Sequence, residues 1–392
     1  MAKGQGDGVD PVEDLRRRRI LPPGEEQMPA IRAARGEALR AWKRLAKLPF
    51  RDQMALVEKD GEMQGWALAE LFCHESAEAT ADHRADEALQ LAKVALRIAG
   101  LVQEIPSWRC RLEGWACGHL ANALRARGDL NEAEEGFRRA EALWMEGAVS
   151  HPGPLDSARV LRLEALLRHA QGRLKEGLDL LERASAIAHA DKLVVRVQKG
   201  AFLGETGRWS DAARELQRAS DGLAGHHPPH LRLDAAFNLT VSLLHAGQPA
   251  EAKTALAELR NLVTAHGTKV DHVRTLWQEA RLKKSLPLYG EVRNALTEHG
   301  LPYDAAVATF ETAALHAEKS HTSEVQELAR GLAPLSVSER VPRQARATIK
   351  IFCKMAEKDG LDPERTRRFA EDFLRTAGDP SLRIEPWPLR EE

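Results

Sequence analysis

The densest set of metal-ligand types is His226-His227 with His230, in the Pro-rich run from Gly225 to His230. A zinc site is completed by further nitrogen, thiolate or carboxylate ligands. No carboxylate or thiolate lies near this run, so it reads as a solvated connector. Cys73-His74-Glu75 begins like a metalloprotease helix, but that chemistry needs a second histidine one turn on. Residue 78 is Glu78 instead. Cys110 and Cys117 are seven residues apart and can share a helix face, yet no Cys-x-x-Cys pair exists, and packing is the simpler role. The sequence contains neither a Gly-x-Ser-x-Gly elbow nor a Gly-x-x-x-x-Gly-Lys phosphate loop. No catalytic residue, metal or cofactor is therefore expected. Asn238-Leu239-Thr240 has the form of a glycosylation acceptor, but the surrounding pattern places it in mid-helix.

Two local basic groups remain, Arg16 to Arg19 and Arg365 with Arg367 and Arg368. The 57 Lys and Arg against 58 Asp and Glu leave a formal charge of -1. That balance exerts no bulk pull on nucleic acid or an acidic membrane. No recognition-helix module precedes the helical region, and direct nucleic-acid binding is not expected. No stretch approaches the roughly 20 apolar residues of a membrane span, and Met1 to Asp10 lacks the apolar core of a signal peptide. Four scattered cysteines suit reduced thiols better than a disulfide framework, so a cytoplasmic setting is expected.

The elements around these residues are helical. Residues 1–38, with Gly4, Gly6, Gly8, the arginine run and Pro22-Pro23, read as a polar leader. Helical periodicity then runs almost unbroken over 39–378, with no sustained period of two, and 379–392 form a tail. At 392 residues the chain exceeds one compact core, and an array that grows by stacking is expected. Apolar residues are 43% but aromatics only 5%, so small Ala and Leu contacts must carry the packing.

The stretch from Cys117 to Leu143 is the most specific. Leu120, Ala121 and Leu124 share one face; Gly128-Asp129 interrupts; Leu130, Ala133, Phe137 and Ala140 line the next face. Gly128 can take the positive φ that ends a helix, and Asn131 with Glu134 has the form of a capping box. Small residues at Ala121, Ala133 and Ala140 would let two helices approach, with Phe137 filling the space beyond. The same punctuation returns at Gly172, Gly207 and Gly247, at intervals of 44, 35 and 40 residues. The longer intervals contain the inserts Ser150 to Pro154 and Gly225 to His230. Asp362 before Pro363 marks the start of the last helix.

The four units from about Cys110 to Val263 resemble tetratricopeptide (TPR) repeats, most closely in the first and third. In the second, Glu164, Arg168 and Gly177 replace apolar or small residues. The chain from Trp66 to Arg383 also resembles bacterial TPR proteins without an assigned activity. The resemblance implies an all-α, right-handed α-solenoid of about seven to eight antiparallel helical hairpins, with a concave groove lined by the first helix of each. Transferring the family's groove positions gives His119, Asn122, Arg125, Arg159, Arg162, Gln198, Asp234, Asn238 and His245. One sub-type clamps a C-terminal carboxylate; Asn122 matches one clamp position, but Gly118 stands where a lysine belongs. The resemblance thus implies a non-catalytic scaffold or regulatory subunit that binds a protein or an extended peptide. A peptide- or small-ligand-responsive regulator is the alternative, and an enzyme or metal-binding protein stands third.

Overall fold

The computed structural model describes residues 28–147, 154–188, 192–223, 227–337, 343–358 and 361–378. The arginine run Arg16 to Arg19, Ser150 to Gly153, Gly225, His226 and the tail 379–392 lie outside the described residues. Among the described residues there are eighteen α-helices and no strand. The first six are α1 (Met28–Leu45), α2 (Phe50–Lys59), α3 (Trp66–Ala81), α4 (Ala85–Leu101), α5 (Pro106–Arg127) and α6 (Leu130–Glu146). Next come α7 (Ser157–Ala170), α8 (Leu174–Ile187), α9 (Lys192–Glu205), α10 (Trp209–Gly222), α11 (Pro229–His245) and α12 (Pro249–His266). The last six are α13 (Lys269–Lys283), α14 (Leu286–Glu298), α15 (Pro302–Glu318), α16 (Thr322–Leu332), α17 (Arg343–Glu357) and α18 (Pro363–Gly378).

From α3 onward the helices run as successive pairs, and one turn design joins most of them. The expected glycines Gly128, Gly172, Gly207 and Gly247 all have φ between 71° and 95°. In each turn the following amide reaches back five residues, as in Asp129 N–H to the Leu124 carbonyl at 3.0 Å and Arg208 N–H to Leu203 at 2.9 Å. This is the Schellman closure, which satisfies carbonyls that the helix end leaves open. His83, Lys284 and Ser320 take the same left-handed position, at φ 60°, 47° and 56°, with the same bonds to Ala79, Ala280 and His316. The capping box expected at Asn131 is not formed. Helix α6 has already begun at Leu130, and its N-cap Asp129 makes no side-chain cap bond but pairs with Arg127 instead. A capping box does form at Thr268 and Asp271, at the start of α13. Asp362 caps α18 as expected, accepting from Arg365 N–H at 2.8 Å.

Helix α1 begins at Met28, inside the segment assigned to the leader. Its buried Ile31, Ala38, Ala41 and Leu45 fall on one face, a pattern that the neighbouring Gly, Pro and Arg residues obscure. Helices α1 and α2 pack on α3 and α4.

The array expected over 39–378 divides into two compact units. Of the described residues, those up to Leu167 with Asp179–Lys192 make the first, and Arg168–Leu178 with those from Leu193 onward make the second. The boundary passes through the α7/α8 pair, where Glu164, Arg168 and Gly177 depart from the repeat pattern. Buried Arg168 bonds Gln171 at 3.1 Å there, where a leucine or alanine would have packed.

In the first unit the core runs through Phe72, Ile98, Trp115, Ala121, Phe137 and Ala140. Helices α5 and α6 touch closely: a Cβ at Gly114 would come within 2.9 Å of the Ala140 carbonyl oxygen, and one at Gly136 within 2.9 Å of the Ala121 Cβ. The second unit packs Leu203, Leu216, Leu239 and Ala252 around α9 to α12. It gathers Trp277, Tyr289, Phe310, Phe352 and Phe373 around α13 to α18.

Candidate functional site

The nine groove positions divide between the two units. In the first, Trp115 is the anchor. Its ring lies 5.4 Å from His119, one turn further along α5, and the Arg159 guanidinium of α7 lies 5.5 Å from its centroid. That spacing is a cation–π contact. The family offsets set His119 and Asn122 on an open groove face, but both are buried. Helix α5 is embraced by α3, α4 and α6, which leaves its polar residues little open surface. Asn122 Oδ1 accepts from Arg125 Nε at 3.0 Å, and burial pulls the half-buried Arg125 guanidinium below its usual pKa. Asn122 therefore holds Arg125 in place and is not presented to solvent. Arg162 is half-buried on α7.

Arg35 of α1 donates from Nε and Nη2 to both carboxylate oxygens of Glu70 on α3, each at 2.8 Å. This two-pronged bond is the stronger form of an ion pair. Arg159 is close enough to oppose the Arg35 charge. Arg35 with Glu70 joins α1 to α3, and Trp115 with Arg159 joins α5 to α7, each the first helix of a pair. The family positions include only Arg159 of these four.

In the second unit, Asp234, Asn238 and His245 lie four and seven residues apart along one face of α11. Asn238 donates to the Asp234 carbonyl at 2.9 Å, and Gln198 is half-buried on α9. His245 is exposed and its ring stacks on Trp209 of α10, centroids 4.2 Å apart and planes 15° from parallel. Burial lowers the His245 pKa to about 4, and the nearby Arg281 adds to the effect. Burial also raises the Asp234 carboxyl, although part of that side chain is open to water.

Beside His245 lies a charged cluster. Glu311 of α15 accepts from Trp277 Nε1 at 2.8 Å, from Tyr289 OH at 3.0 Å and from Arg281 Nε at 3.1 Å. Arg281 also stacks over the Trp277 ring at 4.5 Å. The Arg281 and Glu311 side chains are only 16% and 17% exposed. Burial alone would raise the Glu311 carboxyl, but the Arg281 charge and the converging donors outweigh it and hold the pKa below the usual range. Arg281 and Trp277 lie 30 and 34 residues from Glu311 in sequence, one repeat away, and that spacing is the signal that could have found them, whereas Tyr289 lies 22 away.

Paired helices, recurring left-handed turns and small-residue contacts make this chain a helical-repeat protein of the TPR-like type. Residues 164–337 match the family described as Suppressor of spindle checkpoint defect 1 C-terminal domain, less than half of the chain. Among solved structures, the kinesin-light-chain-type TPR-like repeats of Podosopora anserina are 19% identical, covering 51% of this chain and 97% of theirs, with a TM-score of 0.37. YrrB, a TPR protein with an unusual peptide-binding site, is 16% identical, covering 56% of this chain and 94% of its own, with a TM-score of 0.32. Similarity at this level has no bearing on function, and the fold assignment stands on the helices themselves. The comparison with curated proteins returned no match. Among the described residues, no helix is long and apolar enough to cross a membrane.

Proposed function

We propose that this chain is a non-catalytic scaffold that binds a protein or an extended peptide through the first-helix surface of its second unit. The observation that carries the reading is the polar face of α11. Exposed His245 stacks on Trp209, with Asp234 and Asn238 on the same helix face. An aromatic stack, a carboxylate and an amide spaced along about three turns suit a chain with both apolar side chains and backbone donors. Helix-mounted side chains hold such a surface with little ordering cost on binding. The match at 164–337 covers this stretch but names no ligand. Four free thiols, two of them buried, suit the reducing setting of a cytoplasmic regulatory subunit.

The test is affinity purification from the native cell with the intact chain and with a variant carrying Asp234→Ala, Asn238→Ala and His245→Ala. A partner captured by the wild type and lost from a variant of unchanged helicity supports the surface. Retention of that partner by the variant refutes it.

A further inference from the structure

The turn between α15 and α16 is built like the others but carries different chemistry. A Schellman closure brings together the side chains at the third-last helical position and at the second residue past the helix end. An acidic residue at the third position of the next helix reaches back toward the same point. In three other turns the latter two positions hold an arginine and an acid that pair: Arg84 with Glu87, Arg173 with Glu176 and Arg208 with Asp211. Those are self-satisfied caps.

At the α15–α16 turn the arginine is replaced by His321, the acid is Glu324, and the third-last helical position holds a second histidine, His316. The His321 N–H closes on the His316 carbonyl at 3.0 Å, so the backbone motif itself sets the two rings together. Their Nδ1 atoms are 3.3 Å apart, and one oxygen of Glu324 lies within 4.8 Å of a ring nitrogen of each. Two ligands at about 2.0–2.1 Å from a tetrahedral zinc ion are separated by roughly 3.3–3.4 Å. The imidazoles already stand at that spacing, and Glu324 needs only to leave its bond to Ser323, now 2.7 Å.

We propose that His316, His321 and Glu324 form a divalent-cation site of the zinc class, with its remaining position open to water or to a donor from a partner. Imidazole with carboxylate suits borderline ions such as Zn2+ better than Ca2+ or Mg2+. His316 sits in the last turn of α15, where the helix's negative end favours a cation, while Glu324 offsets the positive end of α16. Lys319 and Arg293 add positive charge around His316 and limit the affinity. The backbone bonds of the turn do not depend on the side chains, so the metal is not required for folding. His227 and His230, the described members of the histidine cluster in the sequence, are not part of this group.

The experiment is calorimetric titration of the chelator-stripped full chain with Zn2+, and absorption spectroscopy with Co2+, whose tetrahedral complexes absorb intensely in the visible. The expected result is one strong site, weakened more than about tenfold by His316→Gln and by Glu324→Gln. His321→Arg restores the arginine–acid pair of the other turns, so it should keep the wild-type melting temperature while abolishing the Co2+ spectrum. Two outcomes overturn the proposal: no stoichiometric binding to the wild type, or binding that survives unchanged in the His316→Gln and His321→Arg variants.

Discussion

Replacing Glu311 by alanine removes the one acceptor on which Arg281, Trp277 and Tyr289 converge. A guanidinium in a nearly closed site is left without its counter-charge, and two further donors lose their partner. Breaking a buried pair from one side costs about 3–5 kcal/mol. Because both side chains retain 16–17% exposure, water recovers part of the loss, and about 3 kcal/mol is expected. Glu311→Gln keeps one acceptor and the shape, and should cost about half as much. Arg281→Met combined with Glu311→Leu should cost less than the sum of the single changes by about 1–3 kcal/mol, since no buried charge remains.

The measurement is urea unfolding followed by circular dichroism, with amide exchange across α13 to α15 to localise the change, because two compact units need not unfold together. A carboxyl whose folded pKa is depressed supports the fold fully above its unfolded value near ~4.3, and loses that support as pH falls through the folded value. The gap between wild type and Glu311→Gln should therefore be full near neutrality and close below about pH 4. A loss under about 1 kcal/mol for Glu311→Ala, or a gap independent of pH, would show that the network is not a structural ion pair.

Phe137→Ala empties a site 2% exposed between Ala133 and Ala140, and should lower stability by about 3–5 kcal/mol in thermal or urea melts. Lys284→Gly relieves a left-handed residue at φ 47°; the strain removed exceeds the added chain entropy, for a gain of about 0.5–1 kcal/mol in the same melts. In NMR titration His245 should stay neutral from pH 6.5 down to about 4, where burial and Arg281 place its pKa. Its stabilising neutral form is then fully present above about 6.5 and lost as pH falls through 4. A midpoint near 6.5 would show that neither burial nor Arg281 acts on the ring.

The hairpin α5/α6 is legible in the sequence because its signals are local and redundant. Gly128 forces the turn, and Ala121, Ala133, Phe137 and Ala140 alternate small and large at helical spacing; all four are buried. The turns at His83, Lys284 and Ser320 are not legible, because a left-handed residue other than glycine leaves no composition signal. The Asn131 capping box fails for a similar reason, since the Schellman closure already fixes where α6 begins. The groove positions rest on fixed offsets between repeats. Those offsets find exposed Asp234 and His245 but also select His119 and Asn122, which lie inside, because an offset does not record how many helices surround α5. The Arg35–Glu70 and Arg281–Glu311 pairs join separate helices, and only alignment of one repeat against the next would bring them together.

The way the turns close decides where this chain can be lengthened. Within a pair, the amide that reaches back five residues, as Gln248 does to Leu243 at 2.9 Å, leaves no slack, so an added residue there breaks bonds on both helices. The α14–α15 link is equally tight: Gly300 has φ 69° and Leu301 N–H bonds the Leu296 carbonyl at 2.9 Å. Between α6 and α7, by contrast, ten residues separate Glu146 from Ser157. Doubling such a connection costs only about 0.6 kcal/mol of closure entropy. A tag, a protease site or a reporter domain placed in that link should leave both units folded, whereas the same insertion at Gly300 should not.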